Sequence, residues 1–275
     1  MATPKVNILM ATWNRAGLLG AAIRSVLEQS FEDWELIIAD DGSTDNTPEV
    51  VGKWQKREAR IVYLRSEKNE GISKNYNKGL RSARGEYVAM LDDDDPWSDK
   101  EKLRKQIEFL DKHREYVGCG GGVIVVDKNK KELYRYFKPE TDTEIRKYML
   151  FSNPMANSTT MFRRAAGEQV GWYDESTRYS GDRDFWLKMG TAGKLCNFRE
   201  YFSYYTMSGE NTSIAKLRPH LRASLMIMRR YKKNYQNYYP ALLFNWIQYL
   251  YSFLPLFIRQ PVHRSLARLK RLVVG

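Results

Sequence analysis

Four short apolar runs, at residues 6–11, 34–39, 61–64 and 87–91, are separated by stretches whose apolar residues fall at helical spacing. This alternation constrains the chain more than any other feature. Between the first two runs, Leu19, Ala22, Ile23, Val26 and Leu27 lie on one helical face. Thr47-Pro48 opens a second helix with Pro in its first turn. A third helix follows Asn69-Glu70-Gly71 and ends near Gly85, and a fourth, reaching about Leu110, begins at Ser98-Asp99-Lys100-Glu101, which has the form of a capping box. Strands alternating with helices imply an α/β fold with a mixed, mainly parallel sheet.

Ligands of such sheets bind beyond the C-terminal ends of the strands. Three polar turns stand at those ends: Thr12-Trp13-Asn14, Asp40-Asp41-Gly42-Ser43, and the four consecutive aspartates 92–95 before Pro96-Trp97. They are expected to meet in space. Four adjacent carboxylates repel one another, and a divalent cation would relieve the conflict, since Mg2+ and Mn2+ take oxygen ligands and often share them with substrate phosphates. A solvated acidic turn is the alternative, and a second acidic turn at a neighbouring strand end favours an ion or nucleotide site.

Beyond residue 116 the pattern is mixed. Strands are expected at 123–126, 133–137, 159–162 and 202–205, and helices at 141–151 and 182–190; Gly120-Gly121-Gly122 permits close backbone approach. Cys119 and Cys196 have no metal-ligand spacing and read as buried thiols of a reducing compartment. The first residues carry no signal-peptide pattern, so a cytoplasmic protein is expected.

The motifs in order resemble the family 2 glycosyltransferases of GT-A fold over residues 4–213. They are Val6-Asn7-Ile8-Leu9-Met10-Ala11-Thr12-Trp13-Asn14-Arg15, then Asp40-Asp41-Gly42-Ser43-Thr44-Asp45, Asn69-Glu70-Gly71, Asn77-Lys78-Gly79 and Gly85-Glu86-Tyr87. Leu91-Asp92-Asp93-Asp94-Asp95-Pro96-Trp97 is similar to the family's DxD motif, and Ser158-Thr159-Thr160, Gly171-Trp172-Tyr173-Asp174-Glu175 and Asp182-Arg183-Asp184-Phe185-Trp186 follow. The resemblance implies a nucleotide-diphosphate sugar donor, a UDP-sugar being favoured, Mn2+ or Mg2+ as cofactor, and single displacement with inversion. It places Asp41 on the nucleotide base, with Thr12 and Trp13 beside it. Asp94 becomes the metal ligand, with Asp92 as its DxD partner, and Asp92 or Asp93 contacts ribose or metal-bound water. Asp182 becomes the general base, with Asp184 as its rival, and Ser158 and Thr159 are candidates for the donor sugar. The chain departs from the family pattern in having Gly181 where a Glu often stands, and Asn75-Tyr76-Asn77 where many members have Ala-Arg-Asn. It has no His in the segment 206–213. The Gln-x-x-Arg-Trp motif of processive synthases is also missing, so transfer of one or a few sugars is expected.

Independent chemistry agrees with these roles. A departing diphosphate develops charge that a divalent cation stabilises, and an acceptor hydroxyl needs a carboxylate within reach to take its proton. Lys74 and Arg81, after Gly71, are candidates for the diphosphate or simply solvated helix charges.

The expected organisation is a catalytic domain over 1–213, divided into a nucleotide-sugar half (1–115) and an acceptor half (116–213), with a basic, aromatic, helical tail over 214–275. The chain has 45 Lys and Arg against 33 Asp and Glu, and residues 211–275 contain twelve of the basic residues and no acidic one. The body is therefore neutral and the tail carries the whole excess. Residues 242–258 are mostly apolar but interrupted by Asn245, Gln248, Ser252 and Pro255, short of the ~20 apolar residues that span a bilayer. Residues 262–274 read as an interfacial amphipathic helix. These features imply peripheral attachment to an anionic membrane surface on the inner face of the cell membrane, near a glycan or lipid-linked acceptor. The alternative is packing of the tail on the domain or a homodimer through the C-terminal helices. A nucleic-acid-binding protein or a metal-dependent nucleotidyltransferase competes with the glycosyltransferase reading. The acidic strand ends oppose the first, so no nucleic acid is expected, and a phosphate-cradling Gly-Lys loop for the second is not apparent.

Overall fold

Every residue of strand β1 (Val6–Thr12) is buried, because both faces of the sheet it belongs to are covered. The structure is a computed structural model and describes residues 3–207 and 216–254. β1 lies between β2 (Trp34–Asp40) and β4 (Tyr87–Asp92), parallel to both, and β3 (Ile61–Arg65) extends the parallel block beyond β2. The sheet continues through β7 (Met161–Arg163), antiparallel to β4, then β5 (Tyr116–Asp127) and β6 (Glu132–Tyr136); β8 (Lys194–Met207) pairs with β5 in parallel.

Side chains of the central strands alternate between two cores, as the two-residue period of a strand requires. Val6, Ile8, Met10, Leu36, Ile38, Ala89 and Leu91 face α1 (Leu19–Leu27) and α4 (Lys102–Lys112). Leu9, Ala11, Ile37, Ala39, Val88 and Met90 face α3 (Ile72–Ser82) and α7 (Gly181–Ala192). The other α-helices among the described residues are α2 (Thr47–Gln55), α5 (Asp142–Tyr148), α6 (Arg164–Gln169), α8 (Leu217–Arg230) and α9 (Tyr238–Tyr251).

Among the described residues the expected strands and helices are present with shifted limits, and three local differences have physical causes. The capping box at Ser98–Glu101 does not form. The Ser98 hydroxyl donates to the Tyr201 carbonyl, Glu101 accepts from Ser30, and α4 begins only at Lys102. Residues 157–159 form a single 3-10 turn before β7 rather than the start of a strand. The Gly120-Gly121-Gly122 run lies inside β5, where it lets β8 come close; a Cβ on Gly121 would sit 2.4 Å from the Phe202 ring.

The first part of the basic tail is packed on the body. Leu225, Ile227, Met228, Tyr235 and Ala241 are buried in the same core as Phe185 and Trp186. The amphipathic helix expected at 262–274 and the segment 208–213 lie outside the described residues. No helix among the described residues is long and apolar enough to cross a membrane.

Candidate active site

The three polar turns converge, as expected from their positions at strand ends. The Asp41 backbone N–H donates to the Thr12 carbonyl (3.0 Å), and the Thr12 hydroxyl donates to Asp93 (2.7 Å). Asn14, in the left-handed region at φ 53°, accepts the Thr44 N–H with its side chain (2.7 Å) and donates its own N–H to the Ser43 hydroxyl (2.8 Å). Arg15 reaches across to Asp93 (2.9 Å) and Asp94 (2.7 Å). Trp13 is half exposed on this rim, an apolar face open to a flat ring. Asp41 is buried and accepts the N–H groups of Glu70 (2.8 Å) and Gly71 (2.9 Å), which lead into α3.

The acidic turn is held on its other side by β8. Ser98 N–H donates to the Phe202 carbonyl, Tyr204 N–H to the Pro96 carbonyl, and the Ser203 hydroxyl to the Asp95 carbonyl. Beside this turn is a cavity of about 420 Å3 lined by Asp92, Asp95, Asn153, Asn157, Ser158 and Asp182, with Tyr136, Lys138, Tyr204 and Tyr205 on its wall. Two residues of the acidic run thus share one space with the helix-borne Asp182, although 90 residues separate Asp92 from Asp182 in the chain.

Each carboxylate of the run has a different environment. Asp92 accepts from Tyr76 Oη (2.8 Å), Asn157 Nδ2 (2.8 Å) and Ser158 Oγ (2.9 Å). Burial, then the nearby Asp94, raise its pKa despite these donors. Asp93 is turned to Thr12 and Arg15, and burial outweighs both partners, pushing it up to about 6. Asp94 is paired with Arg15 and does not line the cavity. Asp95 is buried, with Ser158 Oγ at 3.3 Å, and burial followed by Asp92 and Asp94 holds it well above the usual carboxylate range. The turn therefore carries the charge conflict that four adjacent aspartates imply.

Asp182 is the second residue of α7 and accepts from Asn153 Nδ2 (2.7 Å). The α7 N-terminus favours a negative charge there. Its rival Asp184 is buried against Tyr231 (2.9 Å), with Arg230 at 3.6 Å and Lys188 at 4.0 Å, and does not line the cavity. Behind Asp182, His220 Nδ1 lies 3.1 Å from Ser180 Oγ. Thr159 donates to the Ala156 carbonyl and accepts from Gly121 N–H, so its hydroxyl is part of the scaffold. Lys74 and Arg81 line a separate cleft with Lys78 and Glu175, where Arg81 pairs with Glu175 (2.8 Å).

The acidic run offers only oxygen donors, the ligand type a hard divalent cation takes and completes with phosphate and water. No group of three or more His, Cys, Asp or Glu among the described residues is arranged to hold a metal. Asn157 Oδ1, buried without a hydrogen-bond partner among the described residues, lines the same cavity and is suited to a hydroxyl or a bound water. In the sequence Asp95 reads as a residue that shapes the acidic turn, and Tyr76 stands in the departing Asn75-Tyr76-Asn77 motif; Asn153 and Asn157 carry no local signal and reach the cavity through tertiary packing.

Residues 7–171 match the family model described as Glycosyl transferase family 2. The putative glycosyltransferase EpsE of Bacillus subtilis is 33% identical over 201 residues, covering 72% of this chain and 69% of EpsE. Among solved structures, S. aureus TarS 1–349 in complex with UDP-GlcNAc aligns with a TM-score of 0.66 at 21% identity, over 90% of this chain and 73% of that one. This chain spans 44% of the longer TarS chain. The mannosyltransferase PcManGT of Pyrobaculum calidifontis, in complex with GDP-Man and Mn2+, aligns at 0.64 and 16% identity over 100% of this chain and 82% of that one. At these identities the structures establish the GT-A fold.

Proposed function

We propose single-displacement sugar transfer as the reaction of this chain, which belongs to glycosyl transferase family 2 and is a glycosyltransferase. The donor is a nucleoside-diphosphate sugar, with a UDP-sugar favoured, and the acceptor is a hydroxyl of a glycan or lipid-linked precursor. The carrying observation is the single cavity that brings Asp92, Asp95 and Asp182 together at the strand ends. Solved relatives of the same fold hold UDP-GlcNAc, or GDP-Man with Mn2+, which supports both the donor class and the cation.

In this reading Trp13 lies against the nucleotide base, Asp41 and Thr12 sit at its edge, and residues 1–115 form the donor half. Asp94 with Asp92 would hold Mn2+ or Mg2+, and Asp93 orders the turn through Thr12 and Arg15 or reaches ribose. The bound cation would neutralise charge on the diphosphate. For Asp94 to serve this role, its pairing with Arg15 must open. Residues 116–213 receive the acceptor. Asp182, oriented by Asn153, takes the proton of the acceptor hydroxyl as that oxygen bonds to the anomeric carbon and the bond to the diphosphate breaks on the opposite face. Inversion follows from this geometry of attack. A lipid-linked acceptor would bring the enzyme to the inner face of the cell membrane as a peripheral protein.

A panel of UDP- and GDP-sugars with Mn2+, assayed for nucleotide release and for the anomeric configuration of the product, tests the reading. We expect one donor to turn over with inversion. Asp182→Asn should lower kcat by about 10²–10⁴ with nucleotide affinity retained. A retained configuration, or an Asp182→Asn enzyme of undiminished kcat, would remove the proposed mechanism.

A further inference from the structure

Helix α9 has two apolar sides, one packed on the protein and one turned away from it. Its polar residues face the protein, where Asn245 is 1% and the following Ser252 0% exposed. Ala241, Leu242, Phe244 and Tyr249 pack on the protein beside them, while a second apolar stripe faces outward: Tyr239 is 80% exposed, Leu243 64%, Ile247 45% and Leu250 61%, with Trp246 and Phe253 on the same side. Their spacing of three and four residues places them along one side of the helix. The inward polar groups are satisfied. Asn245 Oδ1 accepts from Arg183 (3.2 Å) and its Nδ2 donates to the Leu150 carbonyl (3.1 Å), while the Ser252 carbonyl accepts from Arg218 (3.0 Å). The helix is therefore anchored in this orientation, and the stripe has no cover among the described residues. A contiguous apolar patch of this kind marks a contact with something other than water.

Charge decides between the two occupants that fit such a face. From residue 211 to 275 the chain has twelve Lys and Arg and no Asp or Glu. Arg218 lies 4.5 Å from the Phe253 ring at one end of the stripe, and Arg229, Lys232 and Lys233 are exposed just before the helix. A second copy of the chain would bring this basic segment against itself, whereas anionic headgroups complement it. Trp246, Tyr239 and Phe253 add the aromatic character that suits a bilayer interface.

We propose that the outward face of α9 docks on an anionic phospholipid bilayer, with the helix lying in the interface plane. The proposal deepens the reading of a lipid-linked acceptor and rests on that reading for the purpose of the docking. It also gives the docking a route to the site. The segment that α9 holds, through the Leu150 carbonyl and through Phe151 against Phe244 (ring centroids 5.9 Å apart), runs on to Asn153, which carries Asp182. A membrane-seated α9 thus sits under the strip of backbone that orients the base.

The test is flotation of the full chain with vesicles of phosphatidylcholine alone or containing phosphatidylglycerol, beside the triple variant Leu243→Gln, Ile247→Gln, Leu250→Gln. These side chains are exposed, so the variant should melt as the parent does. We expect the parent to float with the anionic vesicles, and the variant to lose at least about a hundredfold in partitioning, although its basic residues are intact. Equal flotation of parent and variant, or no flotation of the parent, overturns the proposal. A parent dimer that the variant converts to monomer in sedimentation equilibrium also overturns it, because a second copy is then the occupant. Mn2+-dependent UDP binding, measured calorimetrically on the same samples, reports separately on the glycosyltransferase reading.

Discussion

Lys102 shows how a single buried charge is made tolerable beneath the site. Its ammonium is fully buried, donates to Gln106 Oε1 (2.9 Å) and lies 4.1 Å from the Trp97 ring. Burial pulls its pKa down to about 7, against smaller opposing effects of Cys119 and Asp99. Trp97 and Gln106 in turn hold the carbonyls of Ser158 and Thr159 (2.7 and 2.9 Å), so the lysine lies under the 3-10 turn that grips Asp92. Because its folded pKa is below the unfolded value, folding releases a proton between pH 7 and 10.5. Stability therefore rises with pH across that window, by up to about 1.4 kcal/mol per pH unit. Urea midpoints of the parent should climb from pH 7 to 9 relative to Lys102→Met, which lacks the titrating group. Parallel curves for the two proteins would contradict this account.

At the scale of elements, β5 is where local signals and the fold diverge. Three successive glycines read locally as a place of close approach, yet they occupy the middle of a twelve-residue strand. The strand persists because β6, β7 and β8 all pair with it, and its register to β8 shifts around Gly120 and Gly122. A side chain at Gly121 meets Phe202 and the Glu200 carbonyl, at 2.4 and 3.0 Å from the new Cβ. Gly121→Ala is expected to destabilise the protein by about 1–3 kcal/mol, seen as a lower urea midpoint, and to loosen β8 against Pro96 and Ser98. An unchanged midpoint would mean that β8 shifts freely. The four parallel strands, by contrast, were legible residue by residue, since their apolar runs reflect burial on both faces.

For the whole molecule, the boundary expected near residue 213 separates compositions more sharply than it separates cores. Leu225, Ile227 and Met228 of α8 are buried with Phe185 and Trp186, and Arg183 of α7 is sealed by Asn245 of α9. Each such apolar side chain contributes about 1.5–3 kcal/mol of burial, which over three residues rivals the net stability of a typical domain. A chain ending at residue 213 should therefore be insoluble or melt well below the parent, by circular dichroism. A truncated protein with the parent's melting temperature would show that α8 and α9 are dispensable.

The sequence by itself determined the strands, the helices between them and the acidic turns at their ends, because burial imposes periods of two and 3.6 residues that can be read locally. It also set the acidic run as the place where a cation would meet oxygen ligands, and its resemblance to glycosyl transferase family 2 singled out Asp182 as the candidate base. Only the tertiary structure decided which carboxylates share a cavity. Neighbours in the run point apart, Asp93 and Asp94 to Arg15 and Asp92 and Asp95 to the space before Asp182. It also decided that Asn153 and Asn157 serve Asp182 and Asp92, from 29 and 65 residues away in the chain. The polar residues that interrupt the apolar run at 242–258 count locally against a membrane span. In the fold Asn245 and Ser252 turn inward, while Leu243, Trp246, Ile247 and Leu250 lie exposed on the outer side. Direction of this kind depends on what lies across from each side chain, and that is a property of contacts between distant segments, which no local period encodes.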